Sequence, residues 1–208
     1  MDYIQIRKDI SKDIVESPFV TYNPALKSKP NNDSVILADI KTPYFSRTLD
    51  KYNGHLYAPN KPNIEDYPAV FKNNNILLFA HDLDRIYAEN GSRVHRQLFG
   101  NAIRFFHQNL VVETKGLPSA GRISLLYQKE KSRFVLHLLY APPLERGRCL
   151  VIEDIPEIHN VEVSINLDKK IKSAFIVNLD KKVDFKDNEK INIKIERFTM
   201  HEAVVLDY

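Results

Sequence analysis

From residue 118 onward the chain breaks into short runs whose side chains alternate in polarity, each of strand length and each bounded by turn residues. The runs are "RISLLYQ" from Arg122, "RFVLHLLYA" from Arg133, "VEVSINL" from Val161, "IKSAFIV" from Ile171, "INIKIERF" from Ile191 and "HEAVVLDY" from His201. Between them stand "KEKS" from Lys129, "PPLERG" from Pro142, "NLDKK" from Asn178 and "KDNEK" from Lys186. Strands a few residues long, separated at regular intervals by residues that favour turns, predict a small antiparallel β-sandwich.

The front half has a different texture. "SVILADI" from Ser34 and "NILLFAH" from Asn75 are apolar runs of buried-strand length, whereas "SRVHRQLFGNAIRFFHQNL" from Ser92 carries a helical period. Val94, Leu98, Phe99, Ala102, Ile103, Phe105, Phe106 and Leu110 form a broad apolar stripe at spacings of three and four, with Ser92 as the N-cap. A helix with that stripe is expected to lie against a sheet. The change of texture falls at Lys115 to Pro118, so the expected organisation is α+β. An α/β part over residues 1–115 precedes a β-sandwich over residues 116–208. "NPALKSKPNNDS" from Asn23 reads as a surface loop, and no internal repeat or low-complexity tract is present.

Composition narrows the function classes. The 208 residues are 43% hydrophobic, enough for a substantial core, and 30 Lys and Arg against 27 Asp and Glu give a formal charge of only +3. A charge that small, with no large block of one sign, argues against a dedicated nucleic-acid binder. Cys149 is the single cysteine. An intramolecular disulfide and a four-cysteine zinc site are therefore excluded, and Cys149 is expected to be a small buried apolar side chain. The opening "MDYIQIRKDI" is charged and no run approaches the length of a membrane span, so the expected location is cytoplasmic.

Most chemical motifs are missing. The six glycines include no GxGxxG or GxxxxGK arrangement, which removes the usual support for nucleotide chemistry. "HDLD" places His81 and Asp84 one helical turn apart, a pairing common on surfaces, and no metal or other cofactor is expected. Ser119 in "LPSAGR" lacks the glycines of a nucleophile elbow. Glu153, Asp154 and Glu157 lie in the turn-like "IEDIPEIHN", where solvated charge explains them better than a glycosidase acid pair does. Arg93, Arg96, Arg104 and His107 read as the solvated face of the helix, and His137 as a half-buried strand histidine with a backbone partner. No catalytic residue is nominated.

One stretch is rich enough to be a contact surface. "TPYFSRTLDKYNGHLYAP", residues 42–59, crowds Tyr44, Phe45, Arg47, Tyr52, His55 and Tyr57 between two prolines. Aromatics, an arginine and a histidine suit an active site or an accessory surface alike, and Tyr44, Arg47 and His55 are the candidate contact residues of the stretch.

Several separated segments carry a resemblance to a known family. "TPYFSRT" followed by "HLYAP", "YPAVFKNNNILLFAHDLDRIYAENGSRVHRQLFGNAI", "LPSAGRISLLYQKEKSRFVLHLLYAPPLERG" and "VIEDIPEI" together resemble the C-terminal portion of large multidomain glycoside hydrolases. These are trimer-forming enzymes of the β-galactosidase type, some of them α-L-fucosidases. The resemblance runs over nearly the whole chain and implies part of a glutamine-amidotransferase-like, flavodoxin-like trimerisation domain followed by a C-terminal β-sandwich. The family pattern is closer to PYFNRT with a later SHxHTP. Here Ser46 replaces the asparagine, "GHLYAP" replaces the histidine-rich part and His55 is the histidine that remains. The family's catalytic carboxylates belong to a (β/α)8 barrel with no counterpart in these residues, so none is carried over.

The resemblance also implies an α/β part shorter at its front than a complete doubly wound domain, with an uncovered sheet edge or helix-packing surface that favours association. The expected role is a non-catalytic accessory and oligomerisation region, with a second copy of the chain or a separately encoded catalytic barrel as partner. A carbohydrate-binding module using the aromatics of residues 44–57 is the alternative, weakened by the absence of tryptophan. A free-standing glycoside hydrolase ranks last.

Overall fold

A computed structural model describes residues 1–55, 57–183, 185 and 190–208. The chain divides into two units, Met1–Gln108 and Asn109–Tyr208. Among the described residues the architecture is mostly antiparallel sheet with two α-helices.

The first unit is built on a five-stranded sheet. Its strands are β1 (Asp2–Ile6), β2 (Phe19–Thr21), β3 (Val35–Lys41), β4 (Val70–Asn73) and β5 (Ile76–Phe79), in the order β2-β1-β3-β4-β5. Every pair in it is antiparallel. A flavodoxin-like or amidotransferase-like domain needs parallel strands joined by crossover helices, so that expected layout is not shown by this sheet. The local reason is visible in "VFKNNNILLF". Asn74 sits at a positive φ of 49°, so the chain reverses at once, and Asn73 faces Ile76 across a tight hairpin.

The two helices are α1 (Leu83–Asn90) and α2 (Arg93–Phe106). Gly91 at φ 63° ends α1, returning its N–H to the Tyr87 carbonyl at 2.8 Å, and Ser92 begins α2 in extended conformation. As expected, α2 lies on the sheet. Leu98 and Ala102 are buried with Ile4, Ile10, Leu37, Ala38, Ile40, Ala69, Val70, Ala80 and Leu83, with Phe105 at the margin. Asn101 ties the helix to the turn after β1, its amide donating to the carbonyls of Ile10 (2.9 Å) and Lys12 (2.7 Å).

The second unit is a sandwich of two sheets. One has β6 (Val112–Lys115), β11 (Glu157–Ile165) and β14 (Ile191–Thr199) in the order β14-β11-β6. The other has β7 (Arg122–Gln128), β8 (Arg133–Leu139), β12 (Ser173–Ile176), β13 (Lys181–Val183) and β15 (His201–Asp207) in the order β13-β12-β15-β8-β7. Alternation turns Val161, Val163, Ile165, Ile191, Ile193 and Ile195 of the first sheet inward onto Leu136, Leu138, Ala174, Ile176, Val204 and Leu206 of the second. All six sequence runs read as strands contain one.

Two predicted turns are seen in left-handed residues, Ser132 (φ 48°) after "KEK" and Asp180 (φ 48°) before β13. The predicted turn "KDNEK" falls mostly outside the described residues. "PPLERG" is partly strand, because β9 (Leu144–Arg146) pairs with β10 (Cys149–Val151) around Gly147. Cys149 lies on that hairpin and is exposed. The expectation of a buried thiol fails because a two-stranded hairpin has no covering sheet.

Candidate functional site

The aromatic stretch forms a closed loop. β3 ends at Lys41, and two residues later Pro43 bridges Asn60 in antiparallel fashion. The Tyr44 N–H donates to the Pro59 carbonyl (2.9 Å) and the Lys61 N–H to the Thr42 carbonyl (2.8 Å), so both ends of residues 43–60 are sewn together. Side chains strengthen the base. The Tyr3 hydroxyl donates to the Ala58 carbonyl at 2.7 Å, the Thr42 hydroxyl to Glu65 at 2.7 Å, and the rings of Tyr22 and Tyr57 lie 5.9 Å apart. Burial, with Tyr57 nearby, raises the Tyr3 pKa, which keeps that hydroxyl a donor.

Beyond this base the loop projects apolar surface. Leu49 is 96% exposed and Tyr52 71%, while Thr48 and Lys51 close a small turn at the tip through the Lys51 carbonyl (2.9 Å) and the Thr48 hydroxyl (3.2 Å). Tyr44, Arg47 and His55 are all exposed. No hydrogen bond, ion pair or ring contact links these three among the described residues, so the loop presents them separately rather than as a constellation. Leu49 carries the largest exposure and was not singled out in the sequence, where one leucine among aromatics gives no signal.

Polar groups buried in the first unit form a different cluster. His81 precedes α1 and turns inward, its Nε2 3.3 Å from Oδ2 of Asp2, so it does not pair with Asp84. The same Asp2 oxygen accepts the Ala25 N–H at 2.8 Å. Burial disfavours the Asp2 charge, but the His81 and Ala25 hydrogen bonds outweigh it and hold the carboxyl below its ordinary pKa. Ser92 is at the N-cap position, yet its hydroxyl meets Nδ1 of His95 at 2.6 Å instead of a backbone N–H. Burial, then the charge of His81, pushes the His95 pKa down. With His95 only 1% exposed and its ring edge-on to Phe19, this serine and histidine fasten a helix end rather than face a substrate.

Two of the surface carboxylates singled out in the sequence are engaged in ion pairs. Glu153 meets Arg146 at 3.1 Å, and Glu157 meets His159 at 3.1 Å and Arg197 at 3.8 Å. Glu202 is fully buried and accepts the N–H groups of Asn178 (2.9 Å) and Ala203 (2.8 Å), a structural use of a carboxylate. His137 has a side-chain partner rather than the expected backbone one: its Nδ1 lies 3.0 Å from Nε2 of His201 across β8 and β15. No group of three or more metal-ligating side chains is assembled among the described residues. No helix among them is long and apolar enough to cross a membrane.

The second unit also holds an aromatic group that the sequence does not single out. Tyr127 on β7 stands directly opposite Phe134 on β8, their rings 4.9 Å apart and 28° from parallel. Tyr208 completes the group, its hydroxyl 2.9 Å from that of Tyr127. The hydrogen bond with Tyr127, then burial, raises the Tyr208 pKa.

No protein-family model matches the chain, and no curated protein sequence does. Among solved structures the chain is similar to α-L-fucosidase isoenzyme 2 from Paenibacillus thiaminolyticus, with a TM-score of 0.91 and 25% identity. The likeness covers 100% of this chain and 32% of that one, so the chain spans about a third of the length of the enzyme chain it matches. This agrees with a portion of a fucosidase-like protein and suggests a domain of a glycoside hydrolase.

Proposed function

We propose that the chain is a non-catalytic accessory and assembly region of a glycoside hydrolase-like protein, with residues 43–60 as its contact element. One observation carries the reading: a loop whose two ends are held by backbone hydrogen bonds and side chains nevertheless holds Leu49 and Tyr52 out in water. Apolar side chains displayed on a braced loop are costly in solution and favourable against another surface. Arg47 and Tyr44 flank them with the polar and aromatic contacts common at interfaces. The whole-chain likeness to about a third of a fucosidase chain supports a region of a larger glycoside hydrolase-like protein, and a second copy or a separate catalytic barrel is the partner proposed for it.

The amidotransferase-like ancestry inferred from sequence is not required for this role, because the contact element is a loop and not the sheet. The test is the solution mass of the purified chain, 24.1 kDa for one copy, by light scattering on a sizing column. A discrete oligomer that Leu49→Asp returns to one copy supports self-assembly through this loop. A wild-type monomer removes self-assembly, and the reading then depends on capture of a separately expressed barrel. An oligomer indifferent to Leu49→Asp excludes the loop as the contact.

A further inference from the structure

A cleft beside Tyr127 is lined by an aromatic ring and by polar side chains. β7 is the edge strand of its sheet. Tyr127 there remains 51% exposed although its ring stacks on Phe134. The loop that follows β11 of the other sheet rises opposite, fixed by the hydrogen bond from the Asn166 N–H to the Val111 carbonyl at 2.8 Å. Between them is a depression of about 560 Å³ that Asn109, Asn166, Asp168 and Lys169 also line. That volume is within the range of about 300–1,000 Å³ common for small-ligand sites.

Two features make the lining specific. Among the described residues the side-chain amides of Asn109 and Asn166 and the carboxylate of Asp168 have no hydrogen-bond partner, whereas Lys169 is engaged, its Nζ 5.7 Å from the centre of the Tyr208 ring. Three planar donor and acceptor groups thus stand free around an aromatic wall. The charges of Asp168 and Lys169 offset each other, so the lining side chains carry no net formal charge.

From this geometry we infer a binding site for a neutral saccharide, with Tyr127 taking the apolar face of a pyranose ring and Asn109, Asn166 and Asp168 taking its hydroxyls. A pyranose has one face of C–H groups that suits an aromatic ring and a rim of hydroxyls that suits amides and carboxylates in two-point contact. The Phe134 ring, 4.9 Å from that of Tyr127, backs the wall. The site lies wholly in the second unit and is independent of the assembly reading. It relocates sugar contact from the aromatics of residues 44–57 to a sandwich edge.

Saturation-transfer NMR on the full chain with L-fucose, D-galactose and lactose tests it. Saturable signal is expected from at least one of these sugars. Tyr127→Ala should weaken it about tenfold or more, near 1.4 kcal/mol, and Asp168→Ala should weaken it as well. Tyr127→Phe, which retains the ring, should bind within a few fold of wild type. Circular dichroism and melting temperature check that each variant is folded, and Asp168→Ala, at an exposed position, keeps the test open if Tyr127→Ala is not. Leu49→Asp should leave binding unchanged, which separates this site from the assembly loop. Absence of signal with all three sugars overturns the proposal, as does binding that survives both alanine variants.

Discussion

Nε2 of His81 lies 3.3 Å from the Asp2 carboxylate, so the second residue after β5 is tied to the first residue of β1 inside the first unit. Asp2 has its pKa lowered in the fold, so its stabilising effect is present above the ordinary value of 3.8 and is lost as pH falls through the folded value. His95 is also lowered, because burial disfavours the charged ring. Below its ordinary 6.5 the unfolded chain takes up a proton that the folded chain refuses, and stability falls with acid. Melting temperature should therefore drop in two stages on acidification. His95→Phe should flatten the upper stage, and Asp2→Asn should cost about 1–3 kcal/mol at neutral pH by leaving buried partners unmatched. A melt series from about pH 8 to pH 3 reads both effects.

The base of the projecting loop depends on one phenol. Tyr3→Phe removes the hydrogen bond to the Ala58 carbonyl and leaves a half-buried acceptor. It should cost about 1 kcal/mol and raise the rate of proteolysis within residues 43–60. Leu49→Asp, at a side chain almost entirely in water, should change stability by less than about 0.5 kcal/mol. Denaturant titration with limited proteolysis distinguishes base from tip.

Gly116 should reject any side chain. Its φ is 86°, and a Cβ there would stand 2.8 Å from the Asn160 carbonyl oxygen on the neighbouring strand. Gly116→Ala combines that overlap with left-handed strain and should destabilise the second unit by roughly 1–3 kcal/mol. Gly91→Ala, at φ 63° with open space around it, should cost only about 1 kcal/mol. Chemical denaturation of the two variants side by side checks the order.

Ile195 on β14 is fully buried between the sheets of the sandwich. Ile195→Ala should cost about 2–5 kcal/mol. Hydrogen exchange should accelerate through β8, β11 and β15, while amides of α2 retain their protection. Equal acceleration in α2 would refute the assignment of the loss to the second unit.

What could be read from the residues follows from how local each signal is. The sandwich strands were legible because β11, β12 and β14 bury side chains at nearly every second position, a period visible without knowing the partner. The helix at Arg93 was legible for the same reason, with one correction: Ser92 marks the start but gives its hydroxyl to His95. Strand direction was not legible, since "NILLFAH" fits a parallel or an antiparallel place equally, and only the turn at Asn74 decides. Tyr44, Arg47 and His55 are exposed, but no local pattern says what they touch. The aromatic cleft was invisible because Tyr127, Phe134 and Tyr208 become neighbours only through strand pairing.

The place of β15 in its sheet sets the order in which that sheet is completed during synthesis. β15 lies between β12 and β8, and both of these leave the ribosome before it. Until residues 201–207 emerge, β8 and β12 each expose an unpaired edge bordered by Leu136, Leu138, Ala174 and Ile176. The nascent sandwich is thus two separate sheet fragments with open inner edges, a state suited to chaperone binding and open to intermolecular pairing. Arrival of a single seven-residue strand joins them, so the last step of building this sheet is also the step that ends its exposure.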